Sequence, residues 1–366
     1  MNSFLKKASI ILCFILIFGC QNVEVKTIDK LQLNFLSEFI LPENIVVDST
    51  IVGGLSGVDF YNGLYYLVSD DASNPRYYEA TIEIKNTEIF SIDIIKVIRI
   101  NDTSKYLDLE SIRYNAKTKQ LFLTSEGHIY KGKPPLLISV DSVGNIENNI
   151  EIPKAFLPNS QQKPRHNATL EGLSNSYNDN GYWIAMELPL EVDGPEPQLT
   201  KSKSPVRITF IDAKTNKAES QFVYLLDAIA KQPKGDFSVN GLTDILEYDK
   251  NKFFVIERSY SSGLGNQSNT IKIFSADASQ ATNTLQMDSL SNKDYIPATK
   301  KLLLNFERLR DNLTNNSIDN IEGICFGPIL SNGNKTLLLV SDNNFNRFEK
   351  QLNQFILLEI ATQKFK

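Results

Sequence analysis

Disulfides, an imidazole-rich metal site and a basic face are all missing from this chain. Of its 366 residues only three are cysteines and two are histidines. Cys13 and Cys20 lie near the N-terminus and Cys325 far from both, so no framework of bridges is available and stability has to come from a packed core. Cys325 sits between Ile324 and Phe326 in a strand-like segment, the setting of an inert buried thiol rather than of a nucleophile. With only His128 and His166, a zinc site built on histidines is disfavoured. Lysine and arginine number 38 against 43 acidic residues, a net charge of −5, so a nucleic-acid partner, which demands a basic face, is not expected. There is no G-x-S-x-G elbow, no H-E-x-x-H pair and no EF-hand loop. Gly127 to Lys133 has the spacing of a phosphate-binding loop, but Pro134 follows and no helical pattern does, which marks a chance match. Helical periodicity is sparse everywhere, with Leu225 to Ala230 and Asp311 to Asn316 as candidate single turns.

Long hydrophobic runs are absent too, with one informative exception. Lys6 and Lys7 precede Ala8 to Phe18, an apolar run of 11 residues that is too short to span a bilayer and fits the core of a signal peptide. The residues that follow, Gly19 and Cys20, complete a pattern resembling a bacterial lipobox, in which the cysteine is lipidated and becomes the first mature residue. The expected organisation is therefore a lipoprotein signal over 1–19, a tether over 20–30 and one domain over 31–366, held at the bacterial cell envelope by an acylated Cys20.

A two-part phrase returns five times along that domain. A small apolar segment with a polar residue is followed by an aromatic-rich hairpin and then by an acid. The copies run from Gly53 to Asp70, Glu110 to Glu126, Glu171 to Glu187, Asn240 to Glu257 and Glu322 to Asp342, with internal gaps of 17, 16, 16, 17 and 20 residues. Copies start 57, 61, 69 and 82 residues apart, the mark of one supersecondary unit used repeatedly. Within the first copy, Gly57 to Tyr61 and Leu64 to Ser69 flank the hairpin signal Asn62-Gly63, and Arg76 to Ile84 and Ser91 to Ile100 continue as strands. The second and third copies offer four strands each in the same order, among them Ile146 to Phe156 and Gln221 to Leu226.

Four-stranded units repeated in this way predict an all-β fold, a β-propeller of five blades, or six if the stretch between Ser275 and Leu309 conceals another. The last unit ends on a third strand, Gln354 to Ile360, so its fourth is expected from Leu31 to Leu41, closing the ring and covering the open edge.

If the repeated positions face the axis, Asp70, Glu110, Glu126, Glu171, Glu187, Glu257, Glu322 and Asp342 converge. Such a cluster repels itself unless protons or a hard cation intervene, and calcium accepts six to eight oxygen ligands in loose geometry. These eight are the candidate metal ligands; the competing reading is that each simply accepts hydrogen bonds from a neighbouring blade. Arg76, Arg165, Arg258 and Asn240 are candidates for holding an anionic substrate, since guanidinium binds oxyanions bidentately. Each could equally bridge two blades. Glu171, Glu110 and His166 are the candidate catalytic groups, with imidazole suited to proton transfer near neutral pH.

Gly-Gly-Leu-Ser-Gly-Val (53–58), Tyr-Leu-Val-Ser-Asp-Asp (66–71) with Arg76-Tyr77-Tyr78, Leu-Glu-Ser-Ile (109–112), Asn167 with Leu-Glu-Gly-Leu (170–173), and Ile-Glu-Gly-Ile (321–324) resemble the phytase-like family, described as having "esterase-like activity of phytase". The resemblance runs from about Gly53 to Ile360 and implies a propeller that hydrolyses ester or phosphoester bonds of a small anionic substrate, with calcium as cofactor. Gly53 and Asn240 depart from a ring of identical acids. Two other functions are compatible with the same residues. One is a non-catalytic module that binds a glycan or protein through Pro189 to Pro205 and Gly263 to Asn269. The other is a calcium-dependent lactonase. In each case the chain is expected to act as a monomer.

Overall fold

A computed structural model describes residues 29–101, 106–346 and 350–364. The expected signal sequence, Cys20 and nearly all of the expected tether lie outside the described residues. Five four-stranded antiparallel sheets form the protein, joined by a two-stranded ribbon, Val46–Val47 with Thr50–Ile51. Blade 1 comprises Leu55–Tyr61, Leu64–Ser69, Arg76–Lys85 and Glu88–Arg99. Blade 2 comprises Leu109–Asn115, Gln120–Ser125, Leu136–Val140 and Ile146–Ile150. Blade 3 runs Leu170–Asn175, Gly181–Met186, Pro205–Asp212 and Lys217–Leu225, and blade 4 runs Ser238–Asp249, Lys252–Ser261, Asn269–Asp277 and Thr299–Asn305. Blade 5 is built from Asn320–Phe326, Lys335–Asp342 and Asn353–Lys364, and its outer strand is Asp29–Leu41, paired antiparallel to the last.

The first strand of each blade contacts the first strands of the blades on either side, from blade 1 round to blade 5 and back. Those five strands are the inner wall of a closed ring. Five apolar layers fill the spaces between successive sheets: Val68, Ile112 and Leu123 lie between blades 1 and 2, for example, and Phe254, Ile256, Ile321 and Leu339 between blades 4 and 5. Both faces of each sheet are therefore buried, which is why alternation of polar and apolar residues is weak in the inner strands. The stretch from Ser275 to Leu309 holds no sixth blade. It finishes the third strand of blade 4, makes a long irregular excursion, and returns as that blade's outer strand. Strand 146 also ends earlier than expected, at Ile150, because Pro153 cannot donate to a ladder and a 3₁₀ turn over Lys154–Phe156 follows. Single 3₁₀ turns occur at Arg310–Asn312 and Thr314–Asn316.

The centre of the ring is plugged by a buried ion pair that no repeat signal announced. Arg113 of blade 2 donates from Nη2 to Asp244 Oδ2 of blade 4 at 2.8 Å, and both side chains are about 1% exposed. The same guanidinium donates to the carbonyls of Val58, Ile245 and Ile324, while Asp244 accepts from the backbone N–H groups of Leu173, Ile245 and Ile324. All five inner strands thus share one pair of charges. Inner strands approach so closely here that a Cβ on Gly323 would lie 2.9 Å from Gly57 Cα.

Candidate active site

Every inner strand carries a β-bulge at one equivalent place. Register slips between Leu55 and Gly57, Leu109 and Ile112, Leu170 and Gly172, Leu242 and Asp244, and Ile321 and Gly323. A bulge re-aims the extra residue, and the residues so placed include Ser56, Glu110, Glu171, Thr243 and Glu322. The equivalent residues at the end of the second strands are Asp70, Glu126, Glu187, Arg258 and Asp342, each following the partner of the residue that begins the bulge. In blade 1 the bulge lies at Ser56, three positions beyond the expected Gly53. In blade 4 the bulge lies at Thr243 where Asn240 was expected, and the equivalent end-of-strand residue is Arg258 where Glu257 was expected. The true repeat is acidic in most blades and carries one arginine, in blade 4.

A cavity of about 470 Å³ opens at this mouth. Its floor is formed by Glu110, Glu171 and Glu322 from the bulges and by Asp70, Glu126, Glu187 and Asp342 from the second strands, with Arg258 as the cation among them. An eighth carboxylate, Asp108, joins them from two residues before Glu110. Asp108 stands outside the repeated marks, and its signal in the sequence is weak: the residues at the same offset, Thr169 and Asn320, are polar but uncharged.

Carboxylate oxygens of Asp70, Asp108 and Glu110 lie within 4.8 Å of one another, and so do those of Glu110, Glu126 and Glu171. Glu110 belongs to both groups. Two oxygens each about 2.4 Å from one calcium ion are at most about 4.8 Å apart, so either triad matches the span of a hard-cation site. Burial first, and then repulsion from Glu171 and Asp70, pushes the Glu110 carboxyl well above the ordinary range. Burial and the neighbouring Glu187 do the same to Glu171 and Glu126, and burial with Asp342 does so to Asp70. Glu187 is raised to about 7 and Glu322 to about 8 by burial, each held back by Arg258. Arg258 Nη2 stands 3.5 Å from Glu187 and 3.6 Å from Glu322, too far for good hydrogen bonds, and its buried Nε has no partner among the described residues.

Other residues selected from the sequence stand outside the cavity. Arg76 is 2% exposed and spends its guanidinium on Asp71, Tyr78 and the carbonyls of Ile51 and Asn74. Arg165 donates to the carbonyls of Pro189 and Gly194 and pairs with Glu196. Glu257 points to the opposite face of its strand from Arg258. It accepts from Tyr224, Lys300, Asn240 and the backbone of Asp227, which consumes the Asn240 amide as well. His166 lies on the rim beside Asn167, its ring stacked on His128 at 4.2 Å and packed against Tyr130 at 4.4 Å. Burial and the adjacent His128 hold its pKa below the usual imidazole value.

The family comparison agrees with this architecture. The family model described as "Phytase-like: Esterase-like activity of phytase" matches residues 50–345, and the chain belongs to that family. No curated protein matches it. Among solved structures, the chain is similar to a β-1,3-galactosidase solved with galactodeoxynojirimycin, at 10% identity and a TM-score of 0.47, over 88% of this chain and 94% of that one. It is also similar to a periplasmic gluconolactonase of Pseudomonas aeruginosa, at 9% identity and a TM-score of 0.36, over 85% and 90% of the two chains.

Proposed function

We propose that the protein is a hydrolase that cleaves an ester or phosphoester bond of a small anionic substrate at the acidic mouth, assisted by a divalent cation, with calcium favoured by the donor set. One observation carries the reading. Eight carboxylates from four blades surround one cavity with a single guanidinium among them, and neither Glu110 nor Glu171 accepts a hydrogen bond from another described residue. Folding this much like charge together is costly, and a ligand that removes the cost is the physical reason to retain it. The residues fit calcium: they are hard oxygen donors, they converge within ion-binding distance, and Glu110 is placed to be shared. Asp70, Asp108, Glu110, Glu126 and Glu171 would hold the ion. When bound, it supplies positive charge against the ester oxygens and makes a bound water more acidic.

The chain's own groups supply the rest. Arg258, held between Glu187 and Glu322 with its Nε unpartnered, is positioned to take an oxyanion of the substrate. Glu171 lies within 4.8 Å of Glu110 and Glu126 and keeps its proton at pH values where a surface glutamate is ionised. That poise suits it to pass a proton to or from the reacting water, with Glu110 beside it in the same triad. The Cys20 tether would place this mouth at the cell envelope, with the chain acting as a monomer.

The full chain, purified from membranes, is expected to hydrolyse p-nitrophenyl phosphate or p-nitrophenyl acetate, with EDTA and Glu171→Gln each abolishing turnover. Turnover indifferent to both would reject the mechanism. A Cys20→Ser variant is expected to leave the membrane fraction.

A further inference from the structure

Blade 4 does not stop where the other four do. Its first two strands stay paired for three further residues beyond the ring of carboxylates, from Gly241 and Arg258 out to Ser238 and Ser261. Side chains alternate along this extension. Arg258, Tyr260 and Ser262 face the cavity, as do Phe237 and Val239 on the neighbouring strand. A Cβ on Gly241 would meet the Glu187 carboxylate at 2.3 Å, so that residue faces the same way and its missing side chain leaves room for the acid.

The opposite face is locked to the segment before the blade. There Ser259 Oγ accepts from Ala230 N and Ser261 Oγ donates to Lys231 O; at the tip, on the cavity side, Ser262 Oγ accepts from Phe237 N and donates to its carbonyl. The extension is thus a braced wall, standing over an acidic floor. Its upper part is apolar and aromatic: Phe237 is 58% exposed and packs against Tyr260 with ring centroids 6.1 Å apart. Unlike a lone surface aromatic, Phe237 stands with Val239 and Tyr260 on the lining of a charged cavity, on backbone held by four side-chain hydrogen bonds, and so offers a preformed apolar face to part of a ligand.

We infer that the hairpin extension is a specificity subsite, and that the ligand has two unlike parts: one anionic group at the Arg258 floor, and an uncharged ring, aromatic or saturated, laid against Phe237, Val239 and Tyr260. This inference rests on the hydrolase reading of the floor and deepens it by naming the substrate class, a monoester of a ring-bearing alcohol or phenol. Above Arg258 the wall presents no further cation, so a second phosphate on the ring would meet only apolar surface and the hydroxyls of Tyr260 and Ser262.

Equilibrium binding by calorimetry tests it independently of turnover, using the full chain with calcium. Phenyl phosphate and glucose 1-phosphate represent the two kinds of ring, ethyl phosphate the same charge without one, and inositol hexakisphosphate the polyanion. Aromatic stacking and apolar burial of one ring are worth about a tenfold gain, so at least one ring monoester is expected to bind about tenfold more tightly than ethyl phosphate. Phe237→Ala, at an exposed position the fold does not need, is expected to erase most of that ratio and leave ethyl phosphate binding unchanged. Equal binding of all three monoesters, a ratio untouched by Phe237→Ala, or tightest binding of inositol hexakisphosphate would overturn the subsite. If the subsite fails while EDTA-sensitive turnover persists, the hydrolase reading stands; if ring selectivity appears with no turnover on any ester, the subsite stands and the reaction falls.

Discussion

Ion-free protein should lose stability as the pH rises from 5 to 8, a window in which ordinary carboxylates have already finished titrating. Glu187 and Glu322 carry folded-state pKa values of about 7 and about 8 against an ordinary 4.5. The native state therefore binds more protons than the unfolded chain across this window, and stability falls as each proton is removed. For Glu187 alone, the rise to about 7 is worth about 3 kcal/mol between full protonation and full ionisation. Glu322 acts in the same direction; because the two repel each other, their shares overlap. Glu110, Glu126, Glu171 and Asp70 are also raised and reinforce the trend. His166, whose pKa is lowered, opposes it within the same window. Acids with lowered values, such as Asp227 and Glu307, release their stabilisation below that window and leave it unaffected.

The assay is a thermal melt in EDTA at pH 5, 6.5 and 8, repeated with millimolar calcium. A loss of about 3 kcal/mol corresponds to a fall on the order of 5 °C for a chain of this size. Calcium should restore most of it at pH 8, where the carboxylates are ionised and bind tightly, and little at pH 5. Glu187→Gln should flatten the pH dependence by removing one of the titrations. A melting temperature that is constant or rises from pH 5 to pH 8 in EDTA, and does not respond to calcium, would refute the electrostatic account of the cavity.

Other expectations are structural. Arg113→Met leaves Asp244 charged and unpaired at the point where all five inner strands meet, and should cost about 3–5 kcal/mol in urea unfolding. Gly323→Ala forces a Cβ to within 3.0 Å of the backbone of Gly57 and Val58, and should lower stability by about 1–3 kcal/mol or more, read as a lower melting temperature. Glu257→Gln weakens its bonds to Tyr224 and Lys300 and should destabilise the protein by about 1–3 kcal/mol. Because that side chain faces away from the cavity, the calcium-induced shift should be unchanged, which separates a strut of blade 4 from the ion site.

The order of strands, the number of blades and the closure by Leu31 to Leu41 were legible in the chain, because hairpin turns such as Asn62-Gly63 and the recurrence of one unit are local signals. The crowding of carboxylates at one mouth was legible too, since a repeat places equivalent residues equivalently about the axis. Blades 1 and 4 differ from the repeat that small residues suggest. Small residues mark the copies by eye, whereas the bulge decides which side chain faces the axis, and a bulge is a property of paired strands. Neither Gly53 nor Asn240 occupies the bulge; Ser56 and Thr243 do.

Sequence by itself determined that this is a repetitive all-β ring carrying acids at repeated positions. Only the folded state decided which acids meet. A shift of one residue along a strand moves a side chain to the other face, and so Glu257 became a strut while Arg258 became the lone cation among the carboxylates. Asp108 and the Arg113–Asp244 plug likewise follow from closing the ring, because their neighbours lie on other blades and no pattern within a single repeat encodes them.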